Sequence, residues 1–318
     1  MTTMQSQPAS KPRRFTQWDN SFQAQKQEKP FVWVNGKMLP KHEASVSVFD
    51  HGLLYGDGVF EGIRVYNGQI FKCGQHMDRL WHCAEQIRMK IPISREEMIE
   101  VQRECIRVNG LVNGYIRLIV SRGEGTLGLN PNLCPVPGVI CIADQIRLYP
   151  PEFYEQGMKV IIAKRRKVPV ACLDPRIKSL NYLCNILAKC ESIDKGLLEV
   201  IMLSTDGKVT EGSGDNIFLV ENGSLVTPPC DIGALEGITR RFVMTVLCPK
   251  LRLKCVEKVF SVDELMGSDE VFMTGSAAEI IGVSQIDDKV ITAGEGPITA
   301  KIRAAFREVV TAKVIPED

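Results

Sequence analysis

The amino-acid sequence predicts a two-domain α+β protein, and three observations lead to that prediction. The chain has 318 residues, which is more than a single hydrophobic core usually organises. Its strand and helix signals come in a mixed order rather than in regular alternation. Pro150 and Pro151 cannot lie inside a central strand, so the linker is placed around them. The predicted division is a flexible arm over 1–29, a small N-terminal domain over 30–147, a linker over 148–153 and a larger domain over 154–318.

Composition argues against two classes of partner. Apolar residues make up 44% and charged residues 24% of the chain, and the formal net charge is +1. That balance provides no field that would attract nucleic acid or an acidic membrane surface. The longest apolar runs, such as Val139–Ala143, are far too short to span a bilayer. We therefore expect no nucleic acid and no membrane as partners.

Cysteine and histidine usage bears on location and on metals. The chain has eleven cysteines, an odd number, with no Cys-x-x-Cys pair. The polar segment 1–29 lacks the apolar region of a secretory signal. Together these features indicate reduced thiols and a cytoplasmic location. No His-x-x-x-His pair occurs among the four histidines, so no metal site is expected.

The first domain is predicted to begin with two hairpins. Two Asn-Gly pairs, at 35–36 and 67–68, each lie between β-rich segments and predict tight turns. Ser94 followed by Glu97 predicts a capping box, and Gly110 predicts the end of that helix. The other predicted segments are strands at Phe31–Val34, Lys37–Leu39, Val59–Tyr66, Gln69–Lys72, Tyr115–Ser121 and Val139–Ala143 and a helix at Gln75–Met89.

The second domain is predicted from the same signals. A helix from about Asn181 to Lys195 is expected to end at Gly196, and Asn222-Gly223 predicts a turn. The basic run Lys164–Lys167 is expected to be a solvated strand end. The remaining predicted segments are strands at Lys159–Ala163, Glu199–Leu203, Asn216–Val220 and Glu270–Met273 and helices at Thr239–Leu247 and Ile298–Val310.

A glycine-rich stretch from Gly56 to Gly62 is similar to a dinucleotide-binding loop but does not fit it. The third glycine comes one residue late, and a predicted strand follows where a helix is needed. The sequence also contains neither a phosphate-loop signature nor a nucleophile elbow. These failures disfavour a nucleotide-binding oxidoreductase.

Two stretches contain a candidate amine and a candidate acid. Lys178, within Asp174–Tyr182, lies just before a predicted helix, where its amine can project into a cleft as a nucleophile. A lone lysine is more often an ordinary surface residue. Glu211, within Thr210–Asn216, is a single carboxylate among small residues and can keep the ring nitrogen of an electron-sink cofactor protonated. The alternative is a solvated glutamate in a turn.

Two further stretches suit anions. Gly237-Ile238-Thr239 precedes a predicted helix, where backbone N–H groups and the threonine hydroxyl can bind a phosphate or simply cap the helix. Thr274–Glu279 is a predicted tight turn after a strand, whose N–H groups and hydroxyl suit an anion.

In this order and spacing, the four stretches resemble the fold-type IV enzymes that use pyridoxal 5'-phosphate (PLP). That family includes branched-chain and D-amino-acid aminotransferases, (R)-amine transaminases and aminodeoxychorismate lyase. The resemblance covers about residues 30–312. It implies PLP as the cofactor and a D-amino-acid-aminotransferase-like fold, with a small N-terminal α/β domain and a larger C-terminal β-barrel-like α/β domain.

The resemblance also implies roles for individual residues. Lys178 is similar to the lysine that binds PLP as a Schiff base and moves the substrate proton. Glu211 is similar to the partner of the ring nitrogen, and Tyr182 to the donor for the phenolic oxygen. The spacing from Lys178 to Tyr182 is one residue shorter than in the best-known bacterial branched-chain enzymes. The implied phosphate site consists of Arg79, Gly237, Ile238, Thr239 and Ser276.

The first domain indicates the type of substrate. Val59–Arg64 and Arg122–Pro131 resemble the branched-chain members. Strand alternation puts Tyr115 and Arg117 on one face, where they can guide a substrate carboxylate, although a plain surface pair is the alternative. Arg117 is expected to bind the distal carboxylate of glutamate. The expected substrate-binding residues are Tyr55, Phe60, Tyr115, Arg117, Ser276 and Ala277.

The predicted function is transamination between leucine, isoleucine or valine and 2-oxoglutarate. The resemblance implies a homodimer or a higher homo-oligomer in which Tyr55 reaches the neighbouring subunit's site. One alternative is a D-amino-acid or (R)-amine transaminase of the same fold. A catalytically inactive binding protein is another, which the presence of both Lys178 and Glu211 disfavours.

Overall fold

The computed structural model of the protein describes residues 30–146 and 149–315. The predicted arm over 1–29 and the first residue of the predicted linker lie outside the described residues. A helix begins at Glu152, inside the segment predicted as linker. The position of this helix does not test the division into two domains, which stays a prediction. No helix in the described ranges is long and apolar enough to cross a membrane.

The first half forms an antiparallel six-stranded sheet in the order β2-β1-β6-β5-β3-β4. Both predicted Asn-Gly hairpins are confirmed, and Asn35 and Asn67 have left-handed φ values of 47° and 50°. The strands are β1 (Phe31–Val34), β2 (Lys37–Pro40), β3 (Gly58–Tyr66), β4 (Gln69–Ile70), β5 (Gly114–Ser121) and β6 (Gly138–Asp144).

The helices of this half are α1 (His51–Tyr55), α2 (Cys73–Gln86) and α3 (Arg95–Asn109). Helices α2 and α3 pack against the sheet. The capping box between Ser94 and Glu97 and the left-handed Gly110 are both confirmed. Alternate residues of β3, such as Val59 and Ile63, are fully buried against these helices. Helix α1 was not predicted, since five residues are too few to show a period.

The second half forms a nine-stranded sheet, part of which closes on itself. Six strands are hydrogen-bonded neighbours in the order β10-β13-β14-β7-β8-β9. Asn216 pairs with Glu211, which joins β10 to β9 and closes this part of the sheet. The predicted barrel-like fold of the second half is therefore confirmed. The strands are β7 (Met158–Arg166), β8 (Glu199–Leu203), β9 (Val209–Gly212), β10 (Asn216–Glu221), β11 (Ser224–Thr227), β12 (Cys255–Glu257), β13 (Glu270–Gly275), β14 (Glu279–Ile286) and β15 (Lys289–Val290).

The helix predicted over 239–247 is longer and irregular. A five-residue π-turn over Val243–Leu247 separates two α-helical segments. Pro249 lies two residues after that turn and has no N–H to continue a regular ladder. The helices of this half are α4 (Glu152–Gln156), α5 (Leu183–Ile193), α6 (Ile238–Phe242), α7 (Cys248–Leu251), α8 (Val262–Met266) and α9 (Pro297–Val310).

A short backbone pairing joins the two halves at Lys178. The Phe60 N–H donates to the Lys178 carbonyl at 3.0 Å, and the Leu180 N–H donates to the Gly58 carbonyl at 2.9 Å. Gly58 leaves room for this contact, because a Cβ there would lie 2.7 Å from both the Val120 carbonyl oxygen and Leu180 Cδ1. The start of β3 therefore fixes the position of the lysine backbone.

We expect Gly58→Ala to weaken this pairing, because the methyl group has no space. Overpacking of this kind costs about 1–3 kcal/mol of unfolding free energy. Urea unfolding measures the change. Gly214→Ala is the control, since a Cβ at Gly214 meets nothing within 4 Å. Equal small losses in the two variants would show that the pairing tolerates a side chain at Gly58.

Candidate active site

A cavity of about 470 Å³ is lined by residues of both halves. The β3–β5 face of the first sheet forms one wall, and the barrel with the chain before α5 forms the other. Six of the residues predicted for the site line this cavity, namely Phe60, Tyr115, Arg117, Lys178, Tyr182 and Ala277. They come from four separate stretches of sequence, so the fold gathers them.

Lys178 faces this cavity with its amine. Nζ lies 3.0 Å from the Tyr182 hydroxyl and 4.4 Å from the centre of the Phe60 ring. The Lys178 backbone N–H donates to Cys83 Sγ at 3.3 Å. Backbone contacts on both sides of the residue hold it, so the amine is placed against an aromatic wall with a hydroxyl partner.

Glu211 is buried on β9 rather than solvated in a turn. Its Oε1 accepts a hydrogen bond from Lys167 Nζ at 2.6 Å. Its Oε2 accepts from the Leu235 N–H at 2.9 Å and from Asn216 Nδ2 at 3.3 Å. A small second cavity is lined by Glu211, Lys167 and Tyr182. The carboxylate therefore faces a space beside Tyr182.

Lys167 corrects one expectation from the sequence. The run from Lys164 to Arg166 is exposed, but Lys167 is only 6% exposed. Burial alone would lower the pKa of Lys167, but the charge of Glu211 and their hydrogen bond raise it above its ordinary value. The ammonium is buried because Glu211 pairs with it. A basic run at a strand end gave no sign that its last member turns inward.

Arg79 is brought to the start of α6 by a buried acid. Its Nε and Nη2 donate to the two oxygens of Glu61 at 2.7 and 2.8 Å. Its Nη1 donates to the Glu236 carbonyl, one residue before Gly237, at 2.7 Å. Burial raises the pKa of Glu61, but Arg79 and His76 outweigh burial and hold it well below its usual range. Sequence reasoning missed Glu61, although an acid inside an apolar strand is a usable signal.

The turn between β13 and β14 contains Ser276 and Ala277. The residue that ends the turn, Glu279, has a left-handed φ of 60°, which is uncommon for a side chain of this kind. Its buried carboxylate accepts from the Tyr66 hydroxyl at 2.8 Å and lies 2.9 Å from Arg307 Nη2. Contacts from the first sheet and from α9 thus fix the end of the turn.

Tyr115 and Arg117 lie on the same face of β5, as strand alternation predicts. The Tyr115 hydroxyl lies over Gly62, since a Cβ there would be 1.7 Å from it. The Arg117 guanidinium stacks 4.5 Å from the centre of the Phe60 ring. An arginine, a tyrosine hydroxyl and an aromatic ring therefore meet at this wall of the cavity.

Two predicted substrate residues, Tyr55 and Ser276, do not line the cavity, and Tyr55 lies apart on α1. The Tyr55 hydroxyl accepts the Gly128 N–H at 3.0 Å, and the residue is 38% exposed. This contact ties α1 to the loop around Gly128.

Asp215 is a buried carboxyl of the cavity wall that the sequence did not single out. Burial, together with the nearby Glu199 carboxylate, raises the pKa of Asp215 to about 7. Glu199 itself pairs with Lys189 at 2.8 Å. Among residues 30–146 and 149–315, no group of three or more acidic, histidine or cysteine side chains is arranged to hold a metal ion.

Residues 58–286 match the model of the family described as amino-transferase class IV. The chain therefore belongs to the class IV aminotransferases, which are PLP-dependent enzymes of fold-type IV.

Within this class, the chain is similar to proteins named branched-chain aminotransferases. The branched-chain-amino-acid aminotransferase of Pseudomonas aeruginosa is 36% identical over 288 residues, which is 89% of this chain and 93% of that protein. The Escherichia coli branched-chain amino acid aminotransferase structure matches with a TM-score of 0.85 and 35% identity, covering 88% of this chain and 94% of that one. The branched-chain aminotransferase of the archaeon Thermoproteus uzoniensis, solved with norvaline, matches with a TM-score of 0.83 and 35% identity, covering 88% of this chain and 94% of that one.

Asp215 makes the stability of the protein depend on pH. Because its pKa is about 7 when folded and 3.8 ordinarily, Asp215 binds a proton on folding between those values. Its contribution to stability therefore falls as the pH rises through that window. As the pH rises from about 4 to about 8, we expect the unfolding free energy of Asp215→Asn to increase by about 2–4 kcal/mol relative to that of the parent.

Chemical denaturation across that pH range measures the gain. Asp288→Asn is the control, because it makes the same change of side chain at an exposed position outside the cavity. Parallel pH profiles for Asp215→Asn and the parent protein would show that Asp215 does not take up a proton on folding.

Proposed function

We propose that this enzyme transfers the amino group between branched-chain L-amino acids, namely leucine, isoleucine or valine, and 2-oxoglutarate, with PLP bound to Lys178. The observation that carries the proposal is the cavity itself. It combines an amine, a hydroxyl partner and an aromatic wall with a guanidinium at the same wall. The names of the relatives favour this substrate class over D-amino acids or (R)-amines.

The residues present fit each part of PLP. An aldehyde needs an amine, which Lys178 supplies, and a pyridine nitrogen needs a carboxylate, which Glu211 supplies. Gly237 packs closely against Asn216, because a Cβ there would lie 1.9 Å from Asn216 Oδ1, and its backbone begins the helix that would face the phosphate. When bound, PLP accepts the electron pair released at the substrate Cα.

The phosphate end is assigned to a cation and a helix start. Arg79 contacts Glu236, and the helical stretch that begins at Ile238 continues through the π-turn to Leu251. Its first N–H groups, with the Thr239 hydroxyl, can bind a phosphate. Ser276 would complete the phosphate site from the neighbouring turn.

Proton movement is assigned to Lys178. Its Nζ would take the proton from the substrate Cα and deliver it to the C4′ atom of the cofactor. The Tyr182 hydroxyl, 3.0 Å from that amine, would donate to the phenolic oxygen of PLP and help to orient the pyridine ring. Glu211 would hold the proton on the ring nitrogen, which favours the electron-accepting form.

Substrate choice is assigned to the β3–β5 wall. Phe60 offers apolar area to an aliphatic side chain, worth about 2 kcal/mol on burial. Arg117 would bind the distal carboxylate when glutamate or 2-oxoglutarate occupies the same space. Tyr115 and the N–H groups of Ser276 and Ala277 would hold the carboxylate that all these substrates share.

The assembly is proposed to be a homodimer in which Tyr55 serves the neighbouring site. Exposed apolar side chains lie close to Tyr55 in sequence, at Val48, Phe49, Leu53 and Leu54, and in the loop that its hydroxyl contacts, at Leu127 and Leu129. Exposed apolar patches usually mark contact surfaces. The cytoplasm is the proposed location, since eleven free thiols suit a reducing compartment.

A half-reaction panel tests the function. The PLP-loaded enzyme is mixed separately with L-leucine, L-glutamate, D-alanine and (R)-phenylethylamine, and the absorbance of the lysine-bound cofactor is followed. L-leucine and L-glutamate should bleach it, because each has a carboxylate for Tyr115 and a side chain for the Phe60–Arg117 wall. Bleaching by D-alanine alone would replace the proposed substrate class.

Lys178→Ala should abolish the reaction, because it removes both the attachment point and the proton carrier. We expect turnover to fall by at least about 10³-fold. The fold should persist, since the β3 pairing uses only backbone atoms of this residue. Borohydride reduction of the parent enzyme followed by mass spectrometry should locate the cofactor on Lys178. Near-normal turnover in Lys178→Ala would remove this residue from the mechanism.

Subunit complementation tests the role of Tyr55. Lys178→Ala and Tyr55→Ala proteins, each poorly active, are mixed under conditions that exchange subunits. If Tyr55 acts across the interface, each heterodimer has one site with both lesions and one site with neither. After random exchange, about one site in four should then regain activity. No recovery, with exchange shown by mass spectrometry, would place Tyr55 in its own subunit's site or in none.

A further inference from the structure

The carboxylate assigned to the ring nitrogen already has a buried partner within the protein. Lys167 Nζ lies 2.6 Å from Glu211 Oε1, and both side chains are less than a tenth exposed. The Lys167 backbone is fixed as well, since its N–H donates to the Leu203 carbonyl at 2.9 Å at the end of β7. The contact is therefore built into the barrel wall rather than made by a loose surface chain.

Counting acceptor positions shows where a ring nitrogen can bind. A carboxylate has about four acceptor positions, two on each oxygen. On Glu211, Oε2 already accepts from Leu235 N–H and from Asn216 Nδ2. Oε1 accepts from Lys167 and keeps one position. A ring N–H would therefore share Oε1 with the Lys167 ammonium.

Two cations on one carboxylate oxygen oppose each other. Glu211, Tyr182 and Cys184 each act on Lys167 to raise its pKa. Of these, Glu211 is the one that forms an ion pair with Lys167. The same negative charge on Glu211 would therefore stabilise both the ammonium and a protonated ring nitrogen. In a buried site this interaction is weakly screened by solvent.

We infer that Lys167 is a positioning residue that holds Glu211 in place and competes with the cofactor's ring nitrogen for it, so that the ring proton is held less tightly than a lone carboxylate would hold it. The inference rests on the proposed function. It assigns a role to a residue that contacts neither substrate nor the reacting carbon and acts only through Glu211.

A pair of cofactor probes isolates this role by binding rather than by activity. PLP and 1-deazapyridoxal phosphate, in which carbon replaces the ring nitrogen, are titrated into the cofactor-free protein. The dissociation constant of 1-deazapyridoxal phosphate divided by that of PLP measures the contact between Glu211 and the ring nitrogen. Packing defects weaken both probes alike and leave this ratio unchanged, as in a double-mutant cycle.

Lys167→Met should raise the ratio by about fivefold or more, since the competing cation is gone. Lys167→Gln tests the same loss of charge while keeping a donor, in case the methionine variant folds poorly. Lys167→Arg should keep the parent ratio. Lys189→Met is the matched control, because it breaks a second Lys–Glu pair, with Glu199, that does not involve Glu211.

An unchanged or lowered ratio in the neutral variants would overturn the inference, because Lys167 would then pack or assist but not compete. Equal binding of the two probes both by the parent protein and by Lys167→Met would overturn it together with the assignment of Glu211. Failure of the parent protein to bind PLP at all would instead reject the proposed function.

Discussion

The backbone pairing between β3 and the chain at Ser179 is the contact on which the rest of the site depends. Its two hydrogen bonds join the first sheet to the chain segment around Lys178, which precedes α5 in the second half. Peptide groups form the contact, and Gly58 leaves the space for it, since a Cβ there would lie 2.7 Å from the Val120 carbonyl oxygen and from Leu180 Cδ1. The cavity follows from this contact, since one wall belongs to each half.

Buried carboxylates then orient the side chains around that cavity. Glu61 holds Arg79, Lys167 holds Glu211, and Arg307 with Tyr66 holds Glu279. A buried charge is stable only with a partner and satisfied hydrogen bonds, so each pair has few alternative geometries. This rigidity suits an enzyme that must hold one cofactor while two kinds of substrate take turns.

The local patterns of the sequence predicted much of the fold. Asn35-Gly36, Asn67-Gly68 and the Ser94–Glu97 capping box each appear as expected, because turns and caps depend on neighbours in sequence. Short elements such as α1 gave no signal. The irregular helix after Ile238 was predicted as regular, since the placement of the π-turn depends on the packing around it.

The sequence by itself determined the family resemblance and predicted the lysine, the acid and the anion-binding turns, because those residue types at those spacings are chemically restrictive. Only the tertiary structure decided which charges meet. Lys167 reaches Glu211 across 44 residues, and Tyr66 reaches Glu279 across 213. No local period or motif records such pairs, because they exist only once the strands have paired and the barrel has closed.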